Sequence, residues 1–201
     1  MVIGVTGGVG AGKSTVLKIL EENYNAHIIM SDDVAKELME PGNASYNAIV
    51  EAFGTEVLED KTPGKKIDRA KLAEIVFADD EKLALLNSLT HPRVKEEILS
   101  RRDQIYADDP DALIVIEAAL LIEAGYEDLL DSLWVVYVDL EVRIARLIRD
   151  RGYSREKALS IMDNQLSDDE FRAHADFLIN NSGTLEETRK QIDLFFSQRD
   201  E

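Results

Sequence analysis

Residues 1–15 read MVIGVTGGVGAGKST, and the rest of the chain is best approached from them. A short apolar run, VIGVT at 2–6, enters a loop that carries Gly7, Gly8, Gly10 and Gly12 and closes on Lys13, Ser14 and Thr15. From Gly7 the spacing is G-x-x-x-x-G-K-S, the full phosphate-binding loop pattern. Glycine lets the backbone curl so that successive N–H groups turn toward an anion. The segment STVLKILEEN then places Val16, Leu17, Ile19 and Leu20 at helical spacing, so the loop leads to the positive end of a helix. The alternative, a glycine-rich turn with an incidental lysine, accounts less well for the strand before and the helix after. The expectation is a bound nucleoside triphosphate, with Gly8, Gly10, Ala11, Gly12, Lys13, Ser14 and Thr15 around its phosphates. Lys13 would reach the outer phosphates and the Ser14 hydroxyl would hold a magnesium ion.

Working outward, the composition narrows the class. The chain has 201 residues, 45% of them hydrophobic, which suits one compact domain with room for an inserted subdomain. A net charge of −17 repels nucleic acid phosphates and argues against DNA or RNA as partner. The chain contains no cysteine, which excludes disulfides, thiolate metal sites and cysteine nucleophiles. His27, His91 and His174 are scattered without a helical ligand partner, so zinc is not expected. The opening strand shows no signal-like character, and the longest apolar run, ALIVI at 112–116, is too short to cross a membrane. A cytoplasmic enzyme, monomeric or a small homo-oligomer, is the expectation.

Strand-like segments recur at 2–6, 27–30, 113–116, 133–138 and 176–179, separated by helical patterns. This α/β alternation predicts a five-stranded parallel sheet with helices on both faces. The core would comprise 1–30, 113–141 and 176–201. The interval from 31 to 112 is too long for one crossover helix. It holds DVAKELME, SYNAIVEAFG, RAKLAEIVF, DEKLALLNSL and PRVKEEILSRRDQIYA, and reads as a helical substrate subdomain over the carboxyl edge of the sheet, where open α/β sheets bind ligands.

Phosphoryl transfer needs positioning, charge neutralisation and a group to take the proton of the attacking hydroxyl. Asp32 and Asp33 follow the second strand. One of them can face the phosphate site while the other caps the next helix, or both can be caps. Glu117 ends the third strand, where an acid can hold magnesium-bound water or orient a loop, or simply cap a helix; Glu123 lies further on and reads as a cap. Five of the twelve arginines fall within 143–155. Arg143 and Arg146 share a helical face, suited to charge spread over transferring oxygens, or to a solvated face balanced by Glu141 and Asp150. His91 precedes Pro92, where it either packs between helices or touches substrate.

With these residues in view, the chain resembles the dephospho-CoA kinase family almost end to end. IGVTGGVGAGKST, SDDVAKELMEPG, IDRAKLAEIVF, LTHPRV, IEAALLIEAG and NQLSDDEFRAHADFLINNSG each resemble a family stretch, in order. The loop alone is shared by many nucleotide-using proteins; HPRV and ADFLINNSG make the match specific. The resemblance implies a P-loop NTPase-type kinase fold with a helical CoA domain and a lid, which falls on the arginine-rich residues 142–175. It implies transfer of the γ-phosphate of ATP, with magnesium, to the ribose 3′-hydroxyl of dephospho-CoA. The family's second motif is usually Asp-Ala-Asp and reads Met30-Ser31-Asp32 here, so Asp32 is expected to face substrate and Asp33 to start the helix. Catalytic roles fall on Asp32, Lys13, Arg143 and Arg146, substrate contacts on Asp32, His91 and Glu117, and Asn181 is expected near the adenine of ATP. Ala119, Asp150 and Ile161 stand where the family commonly has proline, arginine and arginine. Two other readings remain open: a different small-metabolite kinase of the adenylate or shikimate type, and a nucleotide-dependent regulator without kinase activity.

Overall fold

The structure is a computed structural model that describes every residue except Leu120, Glu123, Ala124, Asp200 and Glu201. Five strands form one sheet: β1 (Val2–Thr6), β2 (His27–Met30), β3 (Ile114–Glu117), β4 (Ser132–Tyr137) and β5 (Phe177–Asn180), in the order β2-β3-β1-β4-β5. The pairings of β1 with β3 and β4, and of β4 with β5, are parallel. Strand β1 is central and buried along its whole length, as its unbroken apolar run requires. β1 and β2 span the expected residues. β3 and β5 start and end one residue later than expected and β4 one residue earlier. Asp176 is therefore outside β5, and its carboxylate accepts the Leu133 N–H at 2.7 Å at the start of β4.

Helix α1 (Lys13–Tyr24) buries Val16, Leu17, Ile19 and Leu20 against this sheet. Each such side chain contributes about 1.5–3 kcal/mol on burial. Trp134 on β4 is fully buried, with its ring centroid 5.0 Å from that of Phe177 and 4.6 Å from that of Phe195. Phe195 belongs to the last helix, α9 (Leu185–Ser197), whose first turn is held by a capping box between Thr184 and Glu187. Among the described residues no helix is long and apolar enough to cross a membrane.

The chain divides into two compact units, one of residues 1–29 and 111–201, the other of residues 30–110. The second is built from α2 (Ser31–Leu38), α3 (Ala44–Phe53), α4 (Arg69–Phe77) and α5 (Asp80–Asp108) around a core that includes Tyr46, Ile49, Leu58, Leu72 and Val76. Two expectations need correction here. Helix α2 begins at Ser31 behind the extended Met30, so both Asp32 and Asp33 lie in its first turn and neither starts it. The two helical patterns on either side of His91 form the single 29-residue helix α5, with Pro92 inside it. Proline lacks the N–H that would meet a carbonyl one turn back. Side chains take up carbonyls in that stretch: the Thr90 hydroxyl donates to the Leu86 carbonyl and the Arg93 guanidinium to that of Leu89.

The remaining helices of the first unit are α6 (Leu140–Arg151), α7 (Arg155–Asp163) and α8 (Asp168–His174). Gly152 ends α6 in the left-handed conformation, and Ser154 and Ser167 cap the next two.

Candidate active site

The loop between β1 and α1 is formed as its glycines require. Gly12 is the N-cap of α1 in the left-handed region, with φ 85° and ψ 35°, and a side chain there would collide with the Asn181 amide. A side chain on Gly8 would run into the Arg143 guanidinium. Within the loop, Ala11 N–H donates to the Gly8 carbonyl at 3.1 Å and Thr15 N–H to the Gly12 carbonyl at 3.0 Å. No acidic residue lies in the first turn of α1, so nothing in its own sequence offsets the positive end of that helix.

Lys13 folds back over the loop. Its Nζ donates to the Gly7 carbonyl at 2.9 Å and lies 3.6 Å from Glu117 Oε1. The parallel register sets this pair, since Glu117 ends β3 directly opposite Val5. The two side chains are 17% and 9% exposed, so the attraction is screened less than at the surface. Ser14 is exposed, and its hydroxyl has no partner among the described residues.

Arg143 and Arg146 share a face of α6 as expected, yet they reach different parts of the loop. Arg143 is 8% exposed. Its Nε donates to the Val9 carbonyl at 2.6 Å, its Nη2 to Gln165 Oε1 at 2.8 Å, and its Nη1 lies 3.8 Å from Asp168. Burial pulls the Arg143 pKa below its ordinary value while the Asp168 carboxylate works against that shift, and a guanidinium stays charged throughout. Arg146 donates instead to the Asn181 carbonyl at 2.7 Å. It lines an open groove of about 390 Å³ together with Gly10, Gly12, Ser14, Thr15 and Arg149.

Asn181 is 4% exposed and bonded on both sides of its amide. Nδ2 donates to the Ala11 carbonyl at 2.9 Å and Oδ1 accepts the Thr188 hydroxyl at 3.0 Å. In this arrangement the Asn181 side chain braces the end of the loop. The structure thus brings Gly8, Gly10, Ala11, Gly12, Lys13, Ser14, Thr15, Glu117, Arg143, Arg146 and Asn181 together in the first unit. Asp32 and His91 belong to the second unit, where both are exposed, on α2 and in the middle of α5. Asp33 pairs with Lys36 at 2.6 Å within α2, while Asp32 has no side-chain partner among the described residues. Glu123 lies outside the described residues. Three residues to which the sequence assigned no role of their own take part: Val9, Gln165 and Thr188. Gln165 falls within NQLSDDEFRAHADFLINNSG, but no spacing there marks it, and only the three-dimensional contacts single it out.

The loop, its lysine at the head of a helix, two arginines and a paired glutamate thus gather backbone donors and positive charge in one place. A family model described as Dephospho-CoA kinase matches residues 1–187. A relative from Carboxydothermus hydrogenoformans, named Dephospho-CoA kinase, is 42% identical over 191 residues, covering 95% of this chain and 90% of its own. The solved dephospho-CoA kinase from Campylobacter jejuni superposes with a TM-score of 0.71 at 28% identity, covering 98% of this chain and 96% of its own. A solved shikimate kinase from Acinetobacter baumannii, with a TM-score of 0.53 and 18% identity over 98% of this chain and 93% of its own, shares the fold alone.

Proposed function

We propose how this site works from one premise, that the chain belongs to the dephospho-CoA kinase family. It is an ATP-dependent kinase that phosphorylates dephospho-CoA at the 3′-hydroxyl of the ribose, yielding coenzyme A. The observation that carries the site assignment is the Lys13 ammonium at the head of α1, held over the loop by the Gly7 carbonyl. The curled backbone and the helix end receive the triphosphate, and Lys13 meets the charge on the transferring group. Arg146, open to the groove, meets the nucleotide, whereas buried Arg143 acts by shaping the loop.

Asp32 orients the acceptor hydroxyl. As the 3′-oxygen bonds to the γ-phosphorus and the bond to the bridging β–γ oxygen breaks, the Asp32 carboxylate takes the hydroxyl proton and ADP leaves. Its exposure in α2 suits a group that must meet an incoming substrate. His91 is proposed as a further contact to that substrate.

The oxygen donors at the loop fit magnesium. Ser14 offers a hydroxyl and Glu117 a carboxylate, and among the described residues no three acidic or histidine side chains form a cage of their own. That is how magnesium is ordinarily held at phosphates, by one or two protein oxygens with the phosphates themselves. When bound, the ion supplies positive charge to the β- and γ-phosphate oxygens. We propose that the reaction takes place in the cytoplasm, in a monomer or small homo-oligomer, and the net charge of −17 supports a role without nucleic acid.

The test is a set of steady-state measurements with dephospho-CoA, AMP, adenosine and shikimate as acceptors, under the same ATP and magnesium, with products identified by mass. Dephospho-CoA is expected to give the highest kcat/KM, because binding energy from its pantetheine arm helps align the hydroxyl. AMP matching it would overturn the acceptor and favour an adenylate-kinase-like reaction. ATP turnover indifferent to any acceptor would favour a regulator.

A further inference from the structure

Gln165 lies between α7 and α8, in the stretch NQLSDDEFRAHADFLINNSG, and has no part in the reaction as described so far. Its Oε1 accepts two hydrogen bonds, from Val9 N–H at 2.9 Å and from Arg143 Nη2 at 2.8 Å. Both partners are donors, so the amide oxygen, and not the nitrogen, must face them. Arg143 Nε closes the circuit by donating to the Val9 carbonyl at 2.6 Å. The two peptide groups flanking Val9 are therefore gripped in succession. The Gly8–Val9 peptide has its carbonyl on Ala11 N–H and its N–H on Gln165. The Val9–Gly10 peptide has its carbonyl on Arg143.

A trans peptide is planar, with its N–H opposite its C=O. Holding the Val9 carbonyl toward Arg143 turns the Gly10 N–H away from Arg143. Gly10 has φ 78°, and its N–H has no partner among the described residues. Without the grip this stretch of glycines could rotate its peptide planes at little cost. We infer that Gln165 is a positioning residue: with Arg143 it sets two consecutive peptide planes of the loop, so that the Gly10 N–H is ready for a phosphate before nucleotide arrives. The inference rests on the reading that this loop holds the triphosphate. A neutral amide suits the role. A carboxylate could accept the same two bonds, but it would place a negative charge beside the phosphates and pair off Arg143.

The test uses the full chain, with magnesium–ADP as the binding probe and steady-state turnover as the second measurement. Gln165→Met keeps the length of the side chain and removes the acceptor. It is expected to weaken magnesium–ADP binding and to lower kcat, each about tenfold, the scale of one charge-assisted hydrogen bond. The KM for dephospho-CoA and the unfolding temperature should stay near those of the parent, a split that a general loss of packing would not give. Arg143→Met should act through the same peptides, so the double variant should be no more than about twofold worse than the poorer single one. Arg143→Lys replaces it in the cycle if Arg143→Met does not fold. Magnesium–ADP affinity of Gln165→Met within twofold of the parent, or losses that multiply in the double variant, would overturn the inference. Failure of the underlying reading shows separately: Lys13→Met with undiminished ADP affinity and turnover would remove the loop as the phosphate seat, whatever Gln165→Met does.

Discussion

In the unit built on the sheet, Lys13, Arg143, Arg146 and Asn181 are each bonded to the loop or to a residue that braces it. In the helical unit, Asp32 and His91 are exposed, with no side-chain partner among the described residues. On the roles proposed above, the contrast follows from what each would meet. A triphosphate presents the same charges in the same order at every encounter, so its seat can be preformed, and preformed dipoles stabilise charge without reorganising during the reaction. An acceptor hydroxyl arrives on a long flexible substrate, and its alignment has to come from the binding of that substrate.

The contrast can be broken most sharply at Lys13. Lys13→Ala should lower kcat by about a thousandfold or more, the scale of losing a cation that faces a transferring phosphoryl group. The fold should survive, because Lys13 lies at the edge of the core rather than within it. Circular dichroism with a coupled assay checks both. A folded variant with near-parental turnover would mean that the bonded unit is not the phosphate seat. The next effect sharpens the exposed side. Asp32→Asn keeps size but cannot take a proton, and should lower kcat about a hundredfold. Asp33→Asn, which loses only the surface pair with Lys36, should stay within about threefold, since such pairs contribute under about 1 kcal/mol. If Asp33→Asn proves the more damaging in parallel kinetics, the working carboxylate is the neighbour.

The smallest effect probes the bracing. Thr188→Val keeps shape but leaves the buried Asn181 Oδ1 without its donor, which costs about 1–3 kcal/mol. Thermal unfolding should register that loss, and the KM for ATP should rise a few-fold with kcat little changed. An unchanged melting temperature would show that Asn181 does not depend on α9.

The fold was largely legible because its signals are local. Every strand lies within a residue of its apolar run, and the one-residue shifts come from partners distant in the sequence, such as the Asp176 carboxylate on the Leu133 N–H. The loop was legible because its spacing is itself a chemical requirement. The continuity of α5 was not legible, since Pro92 ordinarily ends a helix and nothing in the flanking residues marks it as one the helix runs through. The division of labour between Arg143 and Arg146 was equally hidden. Helical spacing puts both on one face, but only the positions of Val9, Gln165 and Asn181 decide that one is buried beside the loop and the other opens to the groove.

Trp134 is the only tryptophan in the chain, and it sits wholly inside the aromatic cluster of the sheet unit. Its emission is therefore an optical label for that unit alone, free of any contribution from residues 30–110, whereas far-ultraviolet ellipticity sums the helices of both. Followed together through a denaturant titration, the two signals turn the chain into its own gauge of cooperativity: one shared transition if both units melt together, two midpoints if the sheet unit outlasts the helical one.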